Sequence, residues 1–143
     1  MEVLNYKIGD LEIKFNLRGP ITLIQGPSST GKSYIYEALK CSDIHDGLCF
    51  IDYNMIKGGT NDDALTNHLK TNAGLYVFID QADEVLEKCP ELEYTIGNDI
   101  YNTYIIIGRS VDIPLSPSSI ASIKIENNMA TLDYLLPDRD WRY

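Results

Sequence analysis

Short apolar runs, each closed by glycine, proline or a charged side chain, set the rhythm of this chain. Ile21-Thr22-Leu23-Ile24, Leu48-Cys49-Phe50-Ile51-Asp52-Tyr53, Leu75-Tyr76-Val77-Phe78-Ile79 and Tyr104-Ile105-Ile106-Ile107 are too short for helices and read as buried strands. Strict alternation marks a different kind of strand near the start. Leu11, Ile13, Phe15 and Leu17 alternate with Glu12, Lys14 and Asn16, and Gly9-Asp10 supplies a turn, which predicts a β-hairpin over residues 3–17. A second hairpin is predicted from Ser122–Glu126, the Asn127-Asn128 turn and Ala130–Leu136.

Helical spacing occurs between these runs. Tyr34, Ile35, Ala38 and Leu39 form one apolar stripe with Glu37 outward. Asn61 is a candidate cap for a helix whose first turn holds Asp62 and Asp63 and whose stripe is Leu65 and Leu69. A further helix runs from Ala82 to Lys88 and stops before Pro90, while Pro114 and Pro117 mark an irregular connection. Strands alternating with helices predict an α/β domain with a mainly parallel central sheet, in which ligands bind at the carboxyl ends of the strands.

Composition narrows the setting. With 143 residues the chain is long enough for one domain: a hairpin over 1–19, a core over 20–110, and a second hairpin and tail over 111–143. Twelve basic against twenty-one acidic residues give a net charge of −9, which repels nucleic acid and anionic membranes. No apolar run approaches a membrane span, and no charged segment followed by an apolar core marks a signal peptide. Cys41, Cys49 and Cys89 lack C-x-x-C spacing and read as reduced packing residues, and His45 and His68 are isolated. The expected location is the cytoplasm.

The chemistry enters at Gly26-Pro27-Ser28-Ser29-Thr30-Gly31-Lys32-Ser33, which reads G-x-x-x-x-G-K-S. This is the phosphate-binding P-loop: its glycines let consecutive N–H groups turn inward around a phosphate chain. Lys32 reaches the β/γ-phosphates, the Ser33 hydroxyl ligates Mg²⁺, and Tyr34 follows in the first turn of the helix. The preceding strand and following helix are the context the motif requires. Magnesium also needs a carboxylate, and Asp80, after Leu75–Ile79, has the form of the Walker B aspartate. The competing reading makes Asp80 a cap for the next helix.

Val77-Phe78-Ile79-Asp80-Gln81-Ala82-Asp83-Glu84 resembles the Walker B block of AAA-type ATPases of the additional-strand P-loop class, and Tyr104–Arg109 is similar to their sensor strand. Small bacterial and phage ATP-binding proteins of this type are the nearest resemblance, which covers residues 20–110. It implies a three-layer P-loop NTPase with hairpins at both ends and no lid domain, ATP and Mg²⁺ as ligands, and Lys32, Asp80, Gln81 and Arg109 as catalytic residues. One departure matters. These enzymes carry glutamate where this chain has Gln81, and glutamine can hydrogen-bond a water but cannot take its proton. Three accounts compete: a nucleotide-dependent switch with little turnover, a base supplied instead by Asp83 or Glu84, or a glutamine replacing a native glutamate to trap ATP.

Arg109 is a candidate for stabilising the γ-phosphate in cis or acting across a subunit boundary, and Arg139 and Arg142 are candidates for subunit contacts. The leading expectation is therefore an ATP- and Mg²⁺-binding ATPase module whose nucleotide state controls a homo-oligomer or a larger effector subunit. A non-hydrolysing ATP-dependent structural subunit is its variant. A small-molecule kinase, with Asp52 orienting the acceptor, is the alternative, but only Lys88 is basic between Asp80 and Arg109. A transporter-type half-site lacks its L-S-G-G-Q signature, and the missing N/T-K-x-D motif favours ATP over GTP.

Overall fold

The computed structural model describes residues 2–26, 31–43, 47–109 and 120–135. The first hairpin pairs β1 (Glu2–Ile8) with β2 (Leu11–Leu17), and alternation does its work there: Ile13, Phe15 and Leu17 are buried while Lys14 and Asn16 face water. Next come β3 (Ile21–Ile24), α1 (Lys32–Lys40) and β4 (Leu48–Ile51). The second hairpin pairs β7 (Ile120–Glu126) with β8 (Met129–Tyr134). Asn127 and Asn128 both adopt positive φ at its tip, the two-residue geometry that matches strand twist.

Two elements depart from the local reading. Tyr53 does not extend β4 but opens the short helix α2 (Tyr53–Lys57), because the Asp52 side chain accepts the Met55 N–H and caps it. After α3 (Asp62–Lys70), β5 (Tyr76–Ile79) and α4 (Ala82–Lys88), a further helix α5 (Pro90–Asn98) precedes β6 (Thr103–Ile107). Pro90 at its first position and the Leu92/Ile96 spacing were the available signals. Its cap is remote: the Asp62 carboxylate on α3 accepts the N–H groups of Glu91 and Leu92, both at 2.9 Å.

The expected three-layer fold with a mainly parallel central sheet is overturned. All eight strands form one mixed sheet, ordered β1-β2-β8-β7-β3-β6-β5-β4, that bends into a half-barrel with five helices among the described residues. The hairpins are not appendages. Standing alone, each would expose an edge of unpaired amides; instead β2 runs parallel to β8 and β7 runs parallel to β3.

Apolar pattern explains the bend. Leu4, Ile13, Phe15, Ile123 and Ala130 from the hairpins share one buried cluster with Ile35, Tyr36 and Leu39 of α1, so the sheet curls around that helix. The other face is covered by α3, α4 and α5 through Leu65, Leu69, Val85, Leu92 and Ile96. All three cysteines are free: Cys89 is buried, Cys49 half-buried and Cys41 exposed. Among the described residues, no helix is long and apolar enough to cross a membrane.

Candidate functional site

Strands β3, β6, β5 and β4 run parallel, so their carboxyl ends share one edge of the sheet. There Gly26 follows β3, Asp80 follows β5 and Arg109 follows β6. Because β6 lies between β3 and β5, Gly108 and Arg109 emerge between the loop and Asp80. Lys32, Ser33, Asp80, Gln81 and Arg109 line one cavity of about 390 Å³, together with Asp83 and Glu84. Tyr34 lies on the exposed side of α1, outside that lining. Pro27, Ser28, Ser29 and Thr30 lie outside the described residues, as do His45, Arg139 and Arg142; His68 is exposed on α3.

At the head of α1, Gly31 has φ +90, where an L side chain is strained, and a β-carbon there would meet the Ile125 side chain at 2.9 Å. Ile125 is a neighbour no local pattern could reveal, since it arrives on the second hairpin. Lys32 is 6% exposed, and its ammonium donates to the Gly26 carbonyl. Burial pushes its pKa down, and nearby Arg109 adds to that, against the opposing pull of Asp80 and Asp83.

Asp80 is 7% exposed and accepts hydrogen bonds from the Ser33 hydroxyl and the Gln81 N–H. Burial nevertheless raises its pKa above the ordinary carboxylate value. It is not the cap of α4. That position belongs to Gln81, in left-handed geometry (φ 52, ψ 44), whose carbonyl accepts from Glu84 and Val85 and whose exposed side chain makes no capping bond. The Asp83 carboxylate accepts the Arg109 N–H at 3.1 Å.

Asp52 sits at the end of the neighbouring β4 but outside the cavity. It accepts from Lys40 at 2.7 Å, the Tyr36 hydroxyl at 2.9 Å and the Met55 N–H at 3.1 Å. Those donors outweigh burial and hold its pKa below the usual range. Asp52, which the kinase alternative relied on, is thus engaged by α1 and α2 on both carboxylate oxygens and does not line the cavity.

A larger cavity, about 460 Å³, opens at the opposite edge between Leu17, Pro20, Tyr76 and Tyr101. Size does not make it the better candidate: of its polar lining, the Arg18 guanidinium lies over the Tyr134 ring at 3.9 Å, and the carboxamide of Asn102 holds the fold together. Its oxygen accepts the Leu75 N–H and its nitrogen donates to Leu69, Asn72 and Asp99.

The chemistry of the smaller cavity suits a metal-chelated phosphate chain. Among the described residues no group of three or more His, Cys, Asp or Glu side chains could hold a metal alone. Magnesium does not need one: it is typically bound through one or two protein oxygens, with phosphates and waters filling its octahedron. The adjacent Ser33 hydroxyl and Asp80 carboxylate are two such oxygens. No family model, curated protein or solved structure matches the chain.

Proposed function

We propose that the chain binds ATP with Mg²⁺ between the Gly26–Ser33 loop and Asp80, and that its nucleotide state controls an oligomer or a larger effector subunit. The observation that carries this reading is the Ser33–Asp80 hydrogen bond beside buried Lys32, which brings the two halves of the motif to one cavity wall. Lys32 would neutralise the β/γ-phosphates, with Arg109 facing the same space. Ser33 and Asp80 would hold the magnesium, whose bound charge offsets that of the phosphates. Asp80 disfavours its ionised form and Lys32 its protonated form, and each would gain an opposite charge from the chelate.

The likeness of Val77–Glu84 to the AAA-type block belongs to the same reading. On that reading Gln81 would orient a water without accepting its proton, so turnover would be slow and binding would carry the signal. The acidic surface argues against nucleic-acid and membrane partners. Free thiols, including the exposed Cys41, suit a reducing cytoplasm.

Titration calorimetry with ATP and GTP, with and without Mg²⁺, tests the core of this. The expected result is Mg²⁺-enhanced ATP uptake that Lys32→Ala weakens at least about 100-fold, equivalent to roughly 2.7 kcal/mol. Failure to take up either nucleotide sinks the reading. Light scattering with and without MgATP tests the assembly, and an unchanged mass counts against it. Phosphate release from Gln81→Glu separates a switch from a pure binder. A gain of about 100-fold marks a disabled hydrolase, and no gain with the partner present marks a structural subunit.

A further inference from the structure

We infer that the outer edge of β1 pairs with β1 of a second copy of this chain, antiparallel and centred on Asn5. The contact stands on the sheet alone and goes beyond the nucleotide reading, since it names the surface an oligomer would use. A sheet that curls only halfway to a barrel keeps two edges, here β1 and β4. β4 is four residues long, whereas β1 runs for seven, paired with β2 at every position from Glu2 to Ile8. No proline, glycine or bulge blunts it.

Which main-chain groups of β1 face outward follows from β2. The Glu12 N–H donates to the Asn128 carbonyl at 2.8 Å, away from β1. Lys7 lies opposite Glu12, so its own N–H and C=O point away from β2, and alternation extends this to Asn5 and Val3. Among the described residues these amides meet no further strand. The same three side chains are exposed, while Leu4 is buried and Tyr6 packs against the cluster around α1.

The strand is complementary to itself. Asn5 is its middle residue, so a two-fold axis there pairs all seven positions, and moving the axis by one residue leaves ends unpaired. Val3, Asn5 and Lys7 then exchange main-chain hydrogen bonds with Lys7, Asn5 and Val3 of the second copy. Val3 lies beside the aliphatic stem of Lys7, whose ammonium stays in water. On the other face Leu4 meets Tyr6, which joins the apolar clusters around the two α1 helices. Lys7 also sets the direction. Parallel stacking in register would bring Lys7 beside Lys7, and the antiparallel arrangement avoids that repulsion. One such pairing uses the β1 edge of both copies, so assembly through it closes at a dimer.

Sedimentation equilibrium of the full chain, from micromolar to near-millimolar concentration and without nucleotide, tests this. A reversible dimer is expected. Asn5→Pro removes an amide hydrogen that β2 does not use, so the hairpin is kept while association should weaken at least about tenfold. Two further variants read the register, and they decide the matter alone if Asn5→Pro fails to fold. Val3→Lys faces Lys7 of the second copy and should weaken the dimer about tenfold; Val3→Glu faces the same lysine and should hold it at least as tightly as the parent. The net charge of −9 works the other way, since added negative charge raises the repulsion between two copies, so the expected order is specific to this pairing. A chain that stays monomeric overturns the proposal, as does a dimer that Asn5→Pro leaves intact or a pair of Val3 variants that are equal or reversed in order. Repeating the measurement with MgATP separates this contact from the nucleotide reading. A β1 dimer indifferent to MgATP counts against nucleotide control and leaves the contact standing. Assembly that requires MgATP and survives Asn5→Pro does the reverse.

Discussion

Phe50-Ile51-Asp52 and Phe78-Ile79-Asp80 are the same three residues at the ends of adjacent parallel strands, in register, with the two phenylalanine rings stacked 5.7 Å apart. Both carboxylates are nearly out of water, yet their titration is pushed in opposite directions. The difference comes from α1. Ser33, Tyr36 and Lys40 follow one another at helical spacing along a single stripe, so the start of the helix meets Asp80 and the later turns meet Asp52. Asp52 thereby gains a phenol, an ammonium and a backbone amide, and becomes a structural anchor for α1 and α2. Asp80 gains one hydroxyl and one amide and faces a cavity instead. A short strand ending in aspartate therefore does not by itself fix that residue's role, because the helix crossing the strand ends decides which aspartate is left under-satisfied.

The sharpest way to break this comparison is to remove the two carboxylates separately. Asp52→Ala strands the Tyr36 hydroxyl and the Met55 N–H, and should cost about 2–4 kcal/mol, or roughly 6–12 °C in melting temperature, with nucleotide affinity little changed in the folded fraction. Asp80→Asn should do the reverse. It weakens Mg²⁺-dependent nucleotide uptake about 10- to 100-fold, while the ligand-free protein melts no lower, and slightly higher, than the parent. Matching losses of stability in both variants, seen by thermal denaturation, would erase the distinction.

Acid titration sharpens it further. Asp52 has a lowered folded pKa, so its stabilisation is complete above the unfolded value near 3.8 and disappears as pH falls through the folded value. Asp80 has a raised folded pKa, so its penalty is felt above that value and is relieved as pH falls through it. Stability measured from pH 7 to pH 2.5 should then show Asp52→Asn below the parent and Asp80→Asn above it at neutral pH, both differences closing in acid. Curves lying on the same side of the parent would contradict the assignment.

The smallest effect concerns the residues that follow. Gln81 holds left-handed backbone, whereas Tyr53 begins a helix. Gln81→Gly should stabilise by no more than about 1 kcal/mol, and Tyr53→Gly should destabilise by about 1–2 kcal/mol. Chemical denaturation midpoints of opposite sign would verify it, and a shared sign would mean the strain at Gln81 is relieved elsewhere.

Features that depend on neighbours in the chain were legible before any coordinates. Alternation along Leu11–Leu17, the Asn127-Asn128 turn and the Asn61 cap each depend on residues a few positions apart, and local sterics and hydrogen bonding suffice to specify them. For the helix α5 the sequence offered Pro90 and the Leu92/Ile96 spacing but no local cap, because its first amides are satisfied by Asp62, a residue on another helix. The mixed, bent sheet was hidden for a similar reason. Whether β2 finds β8, and so turns two hairpins into the wall around α1, depends on which apolar faces can be buried together. Asp52 and Asp80 carry the same lesson to the site: identical triplets supply identical carboxylates, and only the path of α1 across the strand ends determines which one is hydrogen-bonded into the scaffold and which borders the cavity.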